Sequence, residues 1–374
     1  MITKLGTVIT EYSVRNKSKE NIPVYSVTNE QGFCTGYFSK EVASKDRTTY
    51  KIVPQGYFAY NPSRINVGSV DWQDCEERVI VSPLYVVFGV DKKLDQQYLL
   101  HYLKSDIART YINALATGSV RDNLKFSVLQ ELPINLRPID EQRKLASVLD
   151  YVDSVIGLRN EELSTLDTLV KSRFVELFGD PVSNPKDWNV EPLGKRCGII
   201  TGNTPPRSEP ENYGKHIEWI KSDNINTPFT FITKAQECLS EAGFEKCRFV
   251  EAGSILMTCI AGSIDCIGNV AVTDRRVAFN QQINAIGPEQ DEVLSLYWLM
   301  QLSKPMIHRT INMALKGILS KSQLSEIVFP FPPITLQEQF VAFVEQTDKS
   351  KLAVQKSLEE LEILKKSLMQ QYFG

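Results

Sequence analysis

Histidine is scarce in this chain: His101, His216 and His308 are the only three in 374 residues. The seven cysteines, Cys34, Cys75, Cys197, Cys238, Cys247, Cys259 and Cys266, are odd in number, scattered and without a CxxC pair. Zinc-ligand spacing and a disulfide framework are therefore missing, and reduced, partly buried thiols are expected. Three isolated histidines also leave no nucleophile triad. No apolar run approaches the roughly 20 residues that a bilayer span needs, and the opening MITKLGTVIT lacks the basic-then-apolar layout of a secretory signal, so a cytoplasmic protein is expected. The net charge of −3 gives no global field for a polyanion, which must then be held by local patches.

Catalytic motifs are missing too. No glycine-rich strand-to-helix turn and no GK[ST] phosphate loop occurs. An adenine methyltransferase needs an acidic or amide residue and two prolines before an aromatic on which the flipped base stacks. YNPSR (Tyr60 to Arg64) and NTPPR (Asn203 to Arg207) come nearest, and both lack that aromatic. A metal-dependent nuclease needs clustered carboxylates beside a lysine. Asp71, Asp74 and the DKK triplet Asp91 to Lys93 come closest, but the triplet falls between a strand pattern and a helix pattern, where solvated turn residues are normal.

What the chain does have is length for two domains, 42% hydrophobic and 23% charged residues, and an internal repeat. Leu129 to Gly179 matches Leu324 to Gly374 without a gap; Glu131/Glu326, Pro138/Pro333, Gln142/Gln337, Asp153/Asp348, Leu166/Leu361 and Phe178/Phe373 are among the identical pairs. Each copy opens on a proline element, LPINLRPID or VFPFPPITL, which fixes an extended entry. A helical pattern follows. Leu145, Leu149, Val152, Ile156, Leu163, Leu166, Val170 and Leu177 keep coiled-coil spacing in the first copy; Phe340, Val344, Leu358, Leu361, Leu364, Leu368 and Tyr372 do so in the second. A helix from Gln142 to Phe178 would run about 55 Å at roughly 1.5 Å per residue. The other copy is its best partner, although two amphipathic core helices of separate domains would read similarly.

The segments between the helices correspond more loosely. VIVSPLYVVF (Val79 to Phe88) parallels VAFNQQINAI (Val277 to Ile286) as strands, and LDQQYLLHYLKSDIARTYINAL parallels VLSLYWLMQLSKPMIHRTINMAL as helices. GDPVSNPKDW (Gly179 to Trp188) has the composition of a linker.

Globule, helix, globule, helix resembles the specificity subunit of Type I restriction-modification systems. The resemblance rests on the proline elements with Gln142 and Gln337, on Asp153 and Asp348, the FG helix ends, WNVEPLGKRCGIITGNTPPR and NQQINAI. One departure is the Glu-Gln pair, which is Glu141-Gln142 in the first copy but Leu336-Gln337 in the second. The resemblance implies an α+β chain with target-recognition domains at 1–137 and 180–332, alternating with long helices at 138–179 and 333–374 that form an antiparallel coiled-coil stem. It further implies that each domain reads half of a bipartite DNA target and that the stem sets the spacer. Gln142, Asp153, Gln337 and Asp348 would then lie at subunit interfaces. The chain would be non-catalytic and hold no cofactor. Two methyltransferase subunits using S-adenosylmethionine, and translocase-nuclease subunits using ATP and Mg²⁺, would be its partners beside double-stranded DNA.

DNA readout needs amide, hydroxyl and arginine side chains on loops, some gripping phosphate and others reaching base edges. The candidates are Asn61, Arg64 and Asn66 in YNPSRIN, and Ser119, Arg121, Asn123 and Lys125 in TGSVRDNLK. In the second half they are Asn203, Thr204 and Arg207 in TGNTPPR, Asn224 in SDN, Ser263 in AGS, and Lys316, Ser320 and Lys321 in KGILSKS. Arg207 is expected to touch DNA because two prolines stiffen its loop. The competing readings are a coiled-coil protein-interaction scaffold without DNA readout and a self-contained nuclease.

Overall fold

A computed structural model of the chain describes residues 1–17, 20–36, 47–116, 123–311 and 317–374. The chain packs as two units, Met1–Glu161 with Gln355–Gly374, and Glu162–Val354. Both are mixtures of strands and helices, and both contain one end of each of two 40-residue helices, Ile139–Phe178 and Ile334–Phe373.

In the first unit a four-stranded sheet has the order Ile9–Glu11, Val86–Val90, Phe58–Tyr60, Val70–Trp72, antiparallel throughout. Strand alternation divides its side chains between two cores. Phe58, Tyr60, Val70 and Phe88 pack with the helix residues Tyr98, Leu99, Tyr102 and Leu103, whereas Ala59 and Val87 join Val27, Val53, Val79 and Val81 on the other face. Both faces are covered, which is why Phe58, Ala59 and Tyr60 are all fully buried; each large side chain so buried contributes roughly 1.5–3 kcal/mol.

The second unit repeats the plan. Cys197–Thr201, Ile283–Pro288, Ile255–Thr258 and Val270–Val272 form a sheet of the same order and sense. Ile255, Met257 and Val270 join the helix-side core, while Leu256, Ala271 and Ala285 join the opposite one. Behind it a five-stranded sheet includes the parallel pair Ile217–Ile220 and Val277–Phe279; the first unit keeps that parallel step as one bridge, Val24 with Ile80.

Each segment expected as a single helix is broken in two. Gln96–Lys104 is followed by Asp106–Ala116 and Val293–Leu302 by Lys304–Arg309, with the buried Ser105 and Ser303 at the breaks. At Ser105 the hydroxyl donates to Tyr102 O (2.6 Å) and accepts from Ala108 N (3.2 Å), a local bond that competes with helix continuation. GDPVSNPKDW is an ordered cap, not a loose linker. Gly179 takes φ +81° with Pro185 against it, Lys186 Nζ donates to the carbonyls of Glu176 and Leu177 (2.7 and 2.9 Å), and Trp188 Nε1 donates to that of Phe178 (2.7 Å).

Within each unit the two long helices run antiparallel. In the first, Leu145, Ala146 and Leu149 share a core with Leu368, Tyr372 and Phe373, and Asp153 pairs with Lys365 at 2.5 Å. In the second, Phe174 and Phe178 pack edge-on against Phe340 (ring centroids 5.3 and 5.4 Å), and Asp167 pairs with Lys351 at 2.7 Å. Phe373 sits against Tyr98 and Tyr102, so the last turn of the second long helix completes the core of the first unit. Leu364, expected in the seam, is exposed, and Val354 is buried instead. Among the described residues no helix is long and apolar enough to cross a membrane.

Candidate nucleic-acid interface

Most of the polar loops picked from the sequence leave the same edge of a sheet. In the second unit Thr201, Asn284 and Met257 share one register row near the edge, so TGNTPPR after Thr201 and the AGS loop after Thr258 emerge side by side. The parallel pairing of Ile220 with Phe279 brings Lys221–Asn224 and the NQQ turn (Asn280 to Gln282) to that edge as well. Backbone bonds stitch them together. Asn203 N–H donates to Phe279 O (3.2 Å), Asn280 N–H to Ile220 O (3.1 Å), Cys259 N–H to Gln282 O (2.8 Å) and Leu319 N–H to Cys259 O (2.8 Å). Beneath them Thr201 Oγ1 donates to Asn284 Oδ1 (2.7 Å), and Asn284 Nδ2 donates to Cys259 Sγ (3.2 Å). Burial pushes that cysteine thiol up to about 12, so it stays neutral.

The side chains on this edge differ in availability. Arg207, Ser263, Ser320 and Lys321 are exposed, and Asn203 and Thr204 are half-buried. Asn203 Nδ2 donates to Lys246 O and its Oδ1 accepts from Arg248 N (both 2.8 Å); Thr204 bonds to Gln281. Ser263 Oγ accepts from Asp265 N (3.3 Å), and Ser320 caps the helix Lys321–Glu326 in a capping box with Gln323. Asn224 is a correction. It is buried, its Oδ1 accepts from Lys221 N (3.1 Å) and its Nδ2 reaches Thr233 and Lys234, so it shapes the loop and presents no edge to a base. Lys316, like Ser119 and Arg121 in the first unit, lies outside the described residues.

The first unit has the corresponding arrangement. Leu124 N–H donates to Pro62 O (2.9 Å) and Tyr60 Oη to Leu124 O (3.0 Å), which joins the YNPSRIN turn to the described end of TGSVRDNLK. Arg64, Asn66, Asn123 and Lys125 are exposed. Half-buried Asn61 accepts from Ser63 N and Oγ (3.1 and 2.9 Å) and, with Arg64, Thr28, Asn29 and Tyr85, lines a concavity of about 210 Å³. Asn29, Tyr85 and the exposed Gln281 were not among the sequence candidates; the only hint was NQQINAI, singled out without a role for Gln281.

The four residues expected at subunit interfaces fall into two kinds. Gln142 and Gln337 are corrections, since both are buried inside this chain. Gln142 Oε1 accepts from Asp95 N (2.9 Å), and its Nε2 donates to the carbonyls of Lys93 and Arg137 (both 2.8 Å). Gln337 does the same with Glu292 N (2.9 Å), Pro332 O (2.9 Å) and Asp291 Oδ1 (2.7 Å). Each glutamine locks the first turn of a long helix to the helix that packs on its sheet. The Glu141/Leu336 departure follows from neighbours: Glu141 pairs with Arg137 (2.5 Å), the second copy has Pro332 in that place, and Leu336 packs on the core. Asp153 and Asp348 are half-buried and bound to Lys365 and Lys351. The nuclease candidates are also engaged: Asp71 Oδ2 accepts from Phe33 N (3.0 Å), and Asp91 Oδ1 accepts from Lys93 N (2.9 Å) in a turn.

Comparison with known proteins agrees with this layout. The family model for the Type I restriction modification DNA specificity domain matches residues 4–168 and again 185–363. A putative type I restriction enzyme MjaX specificity subunit of Methanocaldococcus jannaschii is 24% identical over 89% of this chain and 80% of its own length. The HindI specificity subunit of Haemophilus influenzae is 28% identical over 55% of this chain, about half (49%) of that relative. Two solved structures share the fold: a chain from a type I R-M system (TM-score 0.61, 18% identity, 100% of this chain and 97% of that one) and the S subunit from M. genitalium (TM-score 0.57, 16% identity, 100% and 96%). This chain therefore belongs to the family of Type I restriction-modification DNA specificity subunits.

Proposed function

We propose that each unit reads one half of a bipartite DNA target through its sheet-edge loops. Polar loops distant in sequence converge on equivalent edges of two sheets of the same order, and this single observation carries the reading. The two long helices act as an antiparallel stem that sets the unread spacer and docks two methyltransferase subunits; the antiparallel contacts inside each unit support it. The chain itself is non-catalytic. Methyl transfer with S-adenosylmethionine, and translocation and cleavage with ATP and Mg²⁺, belong to the partner subunits. With a net charge of −3, much of the phosphate grip falls to those partners. The coiled-coil scaffold reading has no comparable account of the converging loops.

The test is the pattern of methylated adenines in host DNA with and without this chain. Replacing residues 1–128 with another recognition domain should change one half-site and preserve the other; a change in both would overturn independent readout. Deleting one heptad from each long helix should shorten the spacer with both half-sites intact. Methylation at the original spacing would refute the stem.

A further inference from the structure

Glu237 gathers two cations at the edge of the second unit. Its carboxylate accepts from both terminal nitrogens of Arg207, one at 3.0 Å, and from Lys221 Nζ at 2.5 Å. The Arg207 guanidinium lies over two rings, 4.5 Å from the Tyr213 centroid and 5.3 Å from that of Trp219, and Lys221 Nζ is 5.2 Å from Trp219. The aromatics are fixed in turn. Tyr213 Oη donates to Pro205 O (2.9 Å) and Trp219 Nε1 to Asn203 O (3.4 Å), so the rings and the TGNTPPR loop hold one another. Arg207 is nevertheless 56% exposed.

An exposed ion pair of this kind adds little to stability, so its order calls for another use. Two other bidentate pairs in this unit, Arg196 with Asp291 and Arg275 with Glu218, flank the opposite ends of the strands. Among the described residues only the Arg207 pair stands among the converging loops. One carboxylate beneath two cations leaves the cluster net positive, and a guanidinium with two N–H groups engaged still has three to offer. Clamped in plane by a carboxylate and stacked on rings, it loses little freedom when it meets a second planar partner.

Building on the DNA-reading proposal above, we propose that Arg207 reads a guanine in the half-site of the second unit, through O6 and N7, and that Glu237 is the positioning residue that sets its plane, with Lys221 on a neighbouring phosphate. Arginine on guanine is the commonest specific major-groove contact, and with both terminal nitrogens already bonded to Glu237 the contact falls to Nε–H and the remaining terminal N–H groups.

The experiment uses the assembled complex of this chain with its modification subunits, bound to duplexes carrying the methylated motif and to every single-base-pair change in it. Arg207→Ala and Arg207→Lys should each lose about tenfold or more of discrimination at one G·C pair of that half-site. Lys keeps the charge but lacks the planar guanidinium that Glu237 and the two rings hold in place, so its failure separates shape from charge. Glu237→Gln should lower discrimination at the same pair while binding to unrelated DNA holds or rises, because a negative charge near phosphate is gone. Loss of packing alone would lower both together. Lys221→Ala should weaken all duplexes alike and reduce the salt slope by about one. Preference at the other half-site is the internal control for folding. Full preference at every pair for Arg207→Ala, or equal losses on specific and unrelated DNA for Glu237→Gln, would overturn the assignment. A wild-type complex without any sequence preference would overturn the DNA-reading proposal itself.

Discussion

Gln142 should be worth far more than one surface amide. Replacing it with alanine strips a partner from Asp95 N–H and from the carbonyls of Lys93 and Arg137, around a side chain with no exposed surface. An unpaired donor costs about 1–3 kcal/mol, and the lost methylene packing adds about 1 kcal/mol. The carbonyls, on more exposed residues, regain water more cheaply. A total of about 2–4 kcal/mol corresponds to roughly 30- to 1000-fold in a local opening equilibrium. Hydrogen exchange resolved along the chain is the assay, because a two-unit protein has no single unfolding free energy. Exchange should accelerate by that factor at Asp95 and the first turn of the long helix, and stay unchanged at Glu292. Gln142→Glu is the sharper variant. It keeps an acceptor for Asp95 but turns a second oxygen toward two carbonyls, so its cost should match or exceed that of alanine. Unchanged protection at Asp95 in both variants would refute the lock.

Three further outcomes follow from the geometry. Burial holds the His101 imidazole below its usual pKa of 6.5, against the pull of Asp150 and Asp153; the neutral ring donates Nε2–H to Asp150 at 2.8 Å. The unfolded chain therefore takes up the proton first, so stability contributed by His101 is complete above about pH 6.5 and falls as pH drops below it. Hydrogen-exchange protection factors of the helix Gln96–Lys104 should decline between pH 6.5 and 5 more steeply in wild type than in His101→Gln, and equal slopes would contradict this. A Cβ at Gly202 would press on the carbonyl oxygens of Asn280 and Phe279, so Gly202→Ala should cost about 1–3 kcal/mol and blur the half-site of the second unit, read by differential methylation of mismatched duplexes. Burial pushes the thiols of Cys197 and Cys259 up to about 12, whereas Cys75 is exposed; alkylation of the native protein followed by peptide mapping should find Cys75 modified and those two intact.

The two long helices and the strand segments were legible because each is written in a local period of 2 or 3.6 residues, and the repeat because its two copies align without a gap. The loops were legible as polar turns, and their convergence was not, since it depends on pairings such as Ile220 with Phe279 across many residues of chain. Glu237 carries no local signal at all, being thirty positions from the arginine it holds. Gln142 and Asn224 misled for one reason: an amide reads the same in sequence whether it serves the backbone inside or a base outside. Ser105 broke a helix whose apolar period runs straight through it, because a buried hydroxyl bonded to Tyr102 O outweighed propensity.

The cap that closes the first long helix also decides where such a gene can be cut and rejoined. A crossover at Gly179 would part the last carbonyls of the helix from Lys186 and Trp188, which satisfy them, and would pair Gly179 with a foreign residue in place of Pro185. A splice after Trp188 keeps helix and cap together as one inherited cassette. Chimeras joined there should express as soluble, methylation-competent hybrids, and those joined ten residues earlier should carry a frayed helix end into every combination tried.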